Sequence, residues 1–164
     1  MGTRGACGFR LDGMDYLTYN HYDSYPEGLG ACVLDFCKNI PDDVKEKVRE
    51  LNFFNPKTYD VTDEDVRKCS GLGLTDLEVS SGSEYDYYCL LRNAQGNLQA
   101  YLNAGMMPND NEFIGDGLFC EYAYVVDLDA GTFECYKGGR NLVASWPLDT
   151  LPTEEEMCNA YYSE

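Results

Sequence analysis

The chain has a single histidine, a single tryptophan and only 12 lysines and arginines, against 29 aspartates and glutamates in 164 residues. One histidine cannot supply a two-histidine metal centre, and the eight cysteines are scattered without a C-x-x-C pair, so neither structural zinc nor any other metal or cofactor is expected. The shortage of cations, with a net charge of −17, argues against gripping DNA, RNA or anionic lipid, since phosphates are held by lysine and arginine. No apolar stretch approaches the ~20 residues that cross a bilayer. No apolar run follows Met1-Gly2-Thr3-Arg4-Gly5 as a signal peptide requires, and Ala6 departs from the myristoylation pattern. The expected setting is the reducing cytoplasm of a bacterial host, with the cysteines acting as small core residues.

Hydrophobic residues at 44% and aromatics at 13% are too abundant for a disordered chain, so the charge must ride on a folded surface. One domain spanning residues 1–164 is the expectation. Residues 4–20 read as a hairpin turning at Asp12-Gly13; pairing Leu11 with Met14 sets Phe9 against Tyr16, Cys7 against Thr18, and Arg10 against Asp15 on the opposite face. Gly5 and Gly8 suggest that other chain lies close over the first strand. Residues 27–105 read as a helical middle. Leu29, Cys32, Val33, Phe36, Cys37 and Ile40 form one helical stripe, a second helix runs from Pro41 to Asn55-Pro56, and Thr62 with Asp65 caps a third ending near Cys69. Residues 70–83 are a Gly/Ser loop, and the apolar spacing from Tyr87 to Leu102 is split at Gln95-Gly96-Asn97. Residues 117–137 form a second hairpin, residues 141–146 a short strand, and Thr153 caps a last helix over 153–162. The class is α+β, an antiparallel sheet of four or five strands with helices from the middle of the chain on one face.

The chain is punctuated at Tyr19-Asn20-His21-Tyr22-Asp23-Ser24-Tyr25-Pro26-Glu27-Gly28-Leu29-Gly30. Pro26 ends an extended segment and opens a helix, with Glu27 at the positive end of the dipole and Gly28 and Gly30 allowing close approach of packed chain. His21 and Asp23, two apart in an extended segment, leave the same face and could serve one ligand or one acid–base step. The competing explanation is that the pair fastens the strand-to-helix corner by hydrogen bonds. The acidic clusters at residues 42–43, 63–65 and 154–156 each mark a helix start, where they stabilise the dipole.

The opening residues, the segment Tyr19 to Gly30, Tyr88-Cys89-Leu90-Leu91-Arg92 with Gln95-Gly96, and Leu118 to Asp129 together resemble a family of small uncharacterised proteins from bacteria and their phages. That resemblance implies a cytoplasmic accessory protein and no particular activity. Three readings stand. The first is a non-catalytic acidic protein, a phage-encoded inhibitor or anti-defence factor that binds a basic host protein by mimicking nucleic acid. The second is a small hydrolase or transferase using His21 and Asp23. The third is a binder of a small nucleotide-like ligand, requiring basic residues such as Arg4, Arg10 or Arg92 to converge near the corner formed by Tyr19, His21, Tyr22, Asp23 and Tyr25.

Overall fold

The computed structural model describes residues 3–138 and 140–162. Strands β1 (Gly5–Leu11) and β2 (Met14–Asn20) pair antiparallel in the expected register, from Leu11 against Met14 to Gly5 against Asn20. Asp12 and Gly13 make the turn with φ of 54° and 75°, the left-handed values that a two-residue hairpin requires. The Asp129 carboxylate accepts hydrogen bonds from both turn amides, at 2.8 and 2.9 Å.

Pro26–Gly30 forms a π-helical turn that runs into α1 (Ala31–Lys38). Leu29, Val33, Phe36 and Cys37 are buried as expected, while Cys32 is exposed and Leu34 is buried in its place. Helix α2 (Val44–Arg49) stops before Asn55-Pro56, because Asn52–Phe54 extends as β3 and pairs parallel with β4 (Met106–Pro108). Between them come α3 (Asp63–Gly71) with its Thr62–Asp65 capping box, α4 (Tyr87–Leu90), a 3-10 turn over Arg92–Ala94, and α5 (Leu98–Ala104). The split at Gln95-Gly96-Asn97 is as expected. Asn97 caps α5 by accepting from the Ala100 amide at 3.1 Å.

The second hairpin is β5 (Tyr122–Asp127) and β6 (Thr132–Lys137), followed by β7 (Asn141–Pro147) and α6 (Glu154–Tyr162). The expected strand from residue 118 starts late, because the Asp116 carboxylate accepts from the amides of Leu118 and Phe119 and holds them in a turn. The five strands order as β2-β1-β5-β6-β7, so β1 lies inside the sheet, as Gly5 and Gly8 suggest. One junction departs from the antiparallel expectation: β1 pairs parallel with β5, Gly5 against Tyr122. The chain leaves β2 at Asn20, beside Gly5, and after the helical middle returns to that same end, so β5 must run with β1 and against β2.

Cys7, Phe9, Leu11, Tyr124, Val126, Phe133 and Cys135 face the helices and share one large core with them. The opposite sheet face buries a smaller cluster of Ala6, Leu17, Ala123, Val125 and Tyr136 beneath Ile114 and Cys120. Ile114 comes from a 3-10 segment, Asn111–Gly115, that also finishes the β2 margin. The Asp110 carboxylate accepts from the Tyr19 amide (2.9 Å) and the Asn111 side chain accepts from the Leu17 amide (2.8 Å). At the other margin, the outer side of β7 carries no such cover among the described residues. No helix among them is long and apolar enough to cross a membrane.

Candidate functional site

The corner after β2 is fastened one residue away from the pair expected to do it. Asn20 and Ser24 are both buried; the Asn20 amide donates to the Tyr22 carbonyl (2.7 Å) and the Ser24 hydroxyl (2.9 Å). The Tyr124 hydroxyl, coming up from β5, donates to the Ser24 carbonyl at 2.9 Å. Asp23 sits at φ 56°, reversing the chain rather than extending it. Its carbonyl receives the Leu29 amide at 2.8 Å, and a side chain on Gly28 would collide with that carbonyl. Gly30 is needed for packing, since a methyl group there would stand 3.0 Å from the Tyr124 ring. The two glycines therefore seat the first helical turn on the corner and on the sheet.

Asp23 and His21 are not brought together. The Asp23 carboxylate lies beside Tyr25, where its charge raises the phenol's pKa, and neither residue lines the cleft described below. Among the described residues no carboxylate hydrogen-bonds the His21 ring, and Ser24 is buried in the Asn20 clasp. The dyad expected for hydrolysis or transfer is absent from the geometry. Arg10 is also far from the site in its bonding: its guanidinium is taken up by Asp15 (2.8 Å), Asp127 (3.0 Å) and Glu134 (2.9 Å).

His21 itself lines a cleft of about 570 Å³. Its Nδ1 is 2.7 Å from the Tyr19 hydroxyl and its amide donates to the Gln95 side-chain oxygen at 3.0 Å. Tyr22 meets the imidazole edge to face at 4.3 Å between centroids, and the Arg92 guanidinium lies 5.3 Å from the centre of the Tyr22 ring. Tyr88 stands on another wall, its ring centroid 6.5 Å from that of His21. Burial first, then the charges of Arg4 and Arg92, hold the His21 pKa below its ordinary value, so the ring is neutral near pH 7. Arg4, whose guanidinium is 5.5 Å from the Phe119 ring centre, is thus near enough to act on His21 and on Tyr19. Among the described residues Arg4, Arg67 and Arg92 form no ion pair, whereas Arg10, Arg49 and Arg140 do.

The remaining walls come from places the sequence does not connect to His21. Residues 72–86 are a loop, as expected, but a stitched one. Asp86 accepts from the hydroxyls of Ser80 (2.9 Å) and Ser81 (2.8 Å), and the Asp76 amide donates to the Cys89 carbonyl (2.9 Å). That stitching sets Asp76 and Ser80 against the cleft, opposite Gln95 and Asn93 of the helical segment. Arg92 was expected at a ligand site for its charge, whereas nothing in the sequence marked Tyr88, Gln95 or Asp76 as facing His21. Asp110, beneath Tyr19, has its carboxyl pKa raised by burial, and it also lines a second cleft of about 750 Å³ where Glu112 and Asp116 stand. That second cleft is acidic and is a poor match for an anion.

No protein-family model, curated protein or solved structure matches the chain. The site is therefore read from its own chemistry. Donors dominate the His21 cleft: the Arg92 guanidinium, the Gln95 amide nitrogen left over once its oxygen has taken the His21 amide, and one ring nitrogen of His21. The main acceptor is Asp76, one oxygen of which takes the Glu78 amide at 2.9 Å. Among the described residues no three His, Cys, Asp or Glu side chains are grouped to hold a metal ion.

Proposed function

We propose that this chain is a non-catalytic binding protein whose His21 cleft takes a small nucleotide-like ligand. One observation carries the reading: in a chain with 29 acids and 12 bases, the Arg92 guanidinium, outside any described ion pair, shares a cleft wall with a neutral imidazole that also feels the charge of Arg4. A guanidinium that no carboxylate engages keeps its planar set of donors for an oxyanion. The cleft volume falls within the ~300–1,000 Å³ usual for small-molecule sites. A bare oxyanion would fill only a corner of it. The tyrosine faces and the Arg92 plane suit an aromatic base, whose stacking contributes about 1–3 kcal/mol, and the free oxygen of Asp76 suits a ribose hydroxyl. The want of an oriented base or a free nucleophile favours binding over hydrolysis or transfer.

Calorimetric titration with AMP, CMP, GMP and UMP tests the reading. At least one should bind, and Arg92→Gln should weaken it about tenfold or more without moving the unfolding midpoint. Silence from all four in the wild type would sink it.

A different feature supports a second reading, engagement of a host protein by a phage-encoded inhibitor. Leu118 is 76% exposed and Phe119 48% exposed beneath the Arg4 guanidinium, an aliphatic, aromatic and arginine combination typical of protein contacts. The carboxylates invoked for mimicry sit on elements that pack in different places, α2 on β1, α3 on α4 and α6 on β7. This reading expects Leu118→Asp with Phe119→Asp to abolish partner binding while leaving the nucleotide titration unchanged.

A further inference from the structure

We infer that His21 recognises a phosphoryl oxygen of the ligand as a neutral hydrogen-bond donor through Nε2, and that Tyr19 is the positioning residue that sets this tautomer. The inference rests on the nucleotide reading above and adds which group reads the anion and how. A neutral imidazole has one donor and one acceptor nitrogen, and a fixed partner on one decides the role of the other. At Nδ1 the partner is the Tyr19 hydroxyl, 2.7 Å away. A phenol is a far better donor than acceptor, and burial raises the Tyr19 pKa, which keeps its proton in place. The phenol therefore donates to Nδ1, and the ring proton resides on Nε2.

Nothing among the described residues hydrogen-bonds Nε2, and no buried side-chain nitrogen or oxygen among them is left without a partner, so Nε2 opens to the cleft its ring lines. The groups around the ring fit this role. Tyr19 is held on β2 by its amide bond to Asp110 and by edge-on packing against Phe113, with centroids 5.0 Å apart. Tyr22, Tyr88 and Gln95 bring no carboxylate to the ring, and the cations Arg4 and Arg92 oppose a positive charge on it. Asp76, the one carboxylate on the cleft wall, has an oxygen already engaged by the Glu78 amide. The site thus offers an oxyanion the Arg92 guanidinium and a fixed N–H, instead of an imidazolium that would come and go with pH.

Because His21 is the sole histidine, its ring nitrogens are the only imidazole signals in a 15N-labelled sample. Long-range 1H–15N spectra should show Nε2 protonated and Nδ1 bare at pH 7.5, with the ring still mainly neutral at pH 6.5, where a free imidazole is half charged. AMP should shift the Nε2 resonance. Tyr19→Phe should give mixed tautomers and a higher imidazole pKa, with AMP affinity at pH 7.5 falling about threefold to tenfold. His21→Gln, whose amide nitrogen can occupy the Nε2 place, should bind AMP within about threefold of wild type, and His21→Ala should lose about tenfold. AMP binding by a ring protonated on Nδ1, or binding that Tyr19→Phe leaves untouched in a protein melting like wild type, overturns the assignment and leaves the nucleotide reading standing. Failure of the wild type to bind AMP, CMP, GMP, UMP or inorganic phosphate overturns both.

Discussion

Arg10 is enclosed by three carboxylates, while Arg92 lies over a tyrosine ring with no carboxylate in an ion pair among the described residues. Both are guanidinium groups of one strongly acidic chain, so the difference is in what the fold has placed around them. Around Arg10 the strands do the placing: β2 supplies Asp15, β5 supplies Asp127 and β6 supplies Glu134, across neighbouring positions of the sheet. Around Arg92 an irregular turn meets a corner loop, and the cleft wall it shares is polar, with Asp76 as its one carboxylate and no ion pair formed among the described residues. An arginine whose charge is answered from within is part of the fold's stability; one that is not is available to something from outside.

Removing each cation should separate these roles. Arg10→Met leaves Asp15, Asp127 and Glu134 facing one another, and urea unfolding should register a loss of about 2–3 kcal/mol, somewhat under the cost for a fully buried pair because the cluster is partly wet. The same measurement on Arg92→Gln should move by no more than about 0.5 kcal/mol. A large stability loss at Arg92, or none at Arg10, would erase the distinction.

Acid titration sharpens the contrast. Burial alone would raise the Asp127 pKa, but the Ala130 amide and the Arg10 guanidinium outweigh it and hold the carboxyl below its ordinary 3.8. Its contribution is therefore present above that value and lost as pH falls through the lower, folded-state pKa. In Arg10→Met this acid limb should flatten, since protonation then relieves repulsion, and the gap between variant and wild type should narrow below about pH 4. The smallest effect belongs to His21. Its folded pKa lies below the ordinary 6.5, so the neutral ring favours folding above that value and stability declines as pH falls through the folded pKa. Between pH 7.5 and 5.5 the wild type should lose under about 1 kcal/mol, and His21→Gln should lose none of that part. A wild-type curve that rises on acidification across that range would contradict the placement of Arg4 and Arg92.

Local chemistry was legible in the sequence. The Asp12-Gly13 turn fixed a register that matches residue for residue, and the Thr62 and Thr153 caps started helices where expected, because each depends on neighbours within a few positions. Three-residue strands were not legible: Asn52–Phe54 and Met106–Pro108 are too short to show a period of two, and the first reads as the tail of the preceding helix while the second falls between expected elements. The parallel junction was hidden too, since it follows from where the middle of the chain re-enters the sheet. At the site, His21 and Tyr22 were found from the corner motif and Arg92 from the chemistry a ligand would need. Asp23 misled because spacing in an extended strand ceases to apply at a positive φ, and Arg10 because charge in a sequence does not reveal its counter-charges. Asp76 and Gln95 arrive by long-range folding, and no local pattern announces them.

Asp110 and Asn111 close one margin of the sheet with side chains in place of a further strand, while β7 leaves the other margin without such cover among the described residues. Growth by strand addition is thereby restricted to a single side. Two molecules joining there would consume each other's open edge of the five-stranded sheet, so crowding should drive this protein to pairs that terminate rather than to fibres.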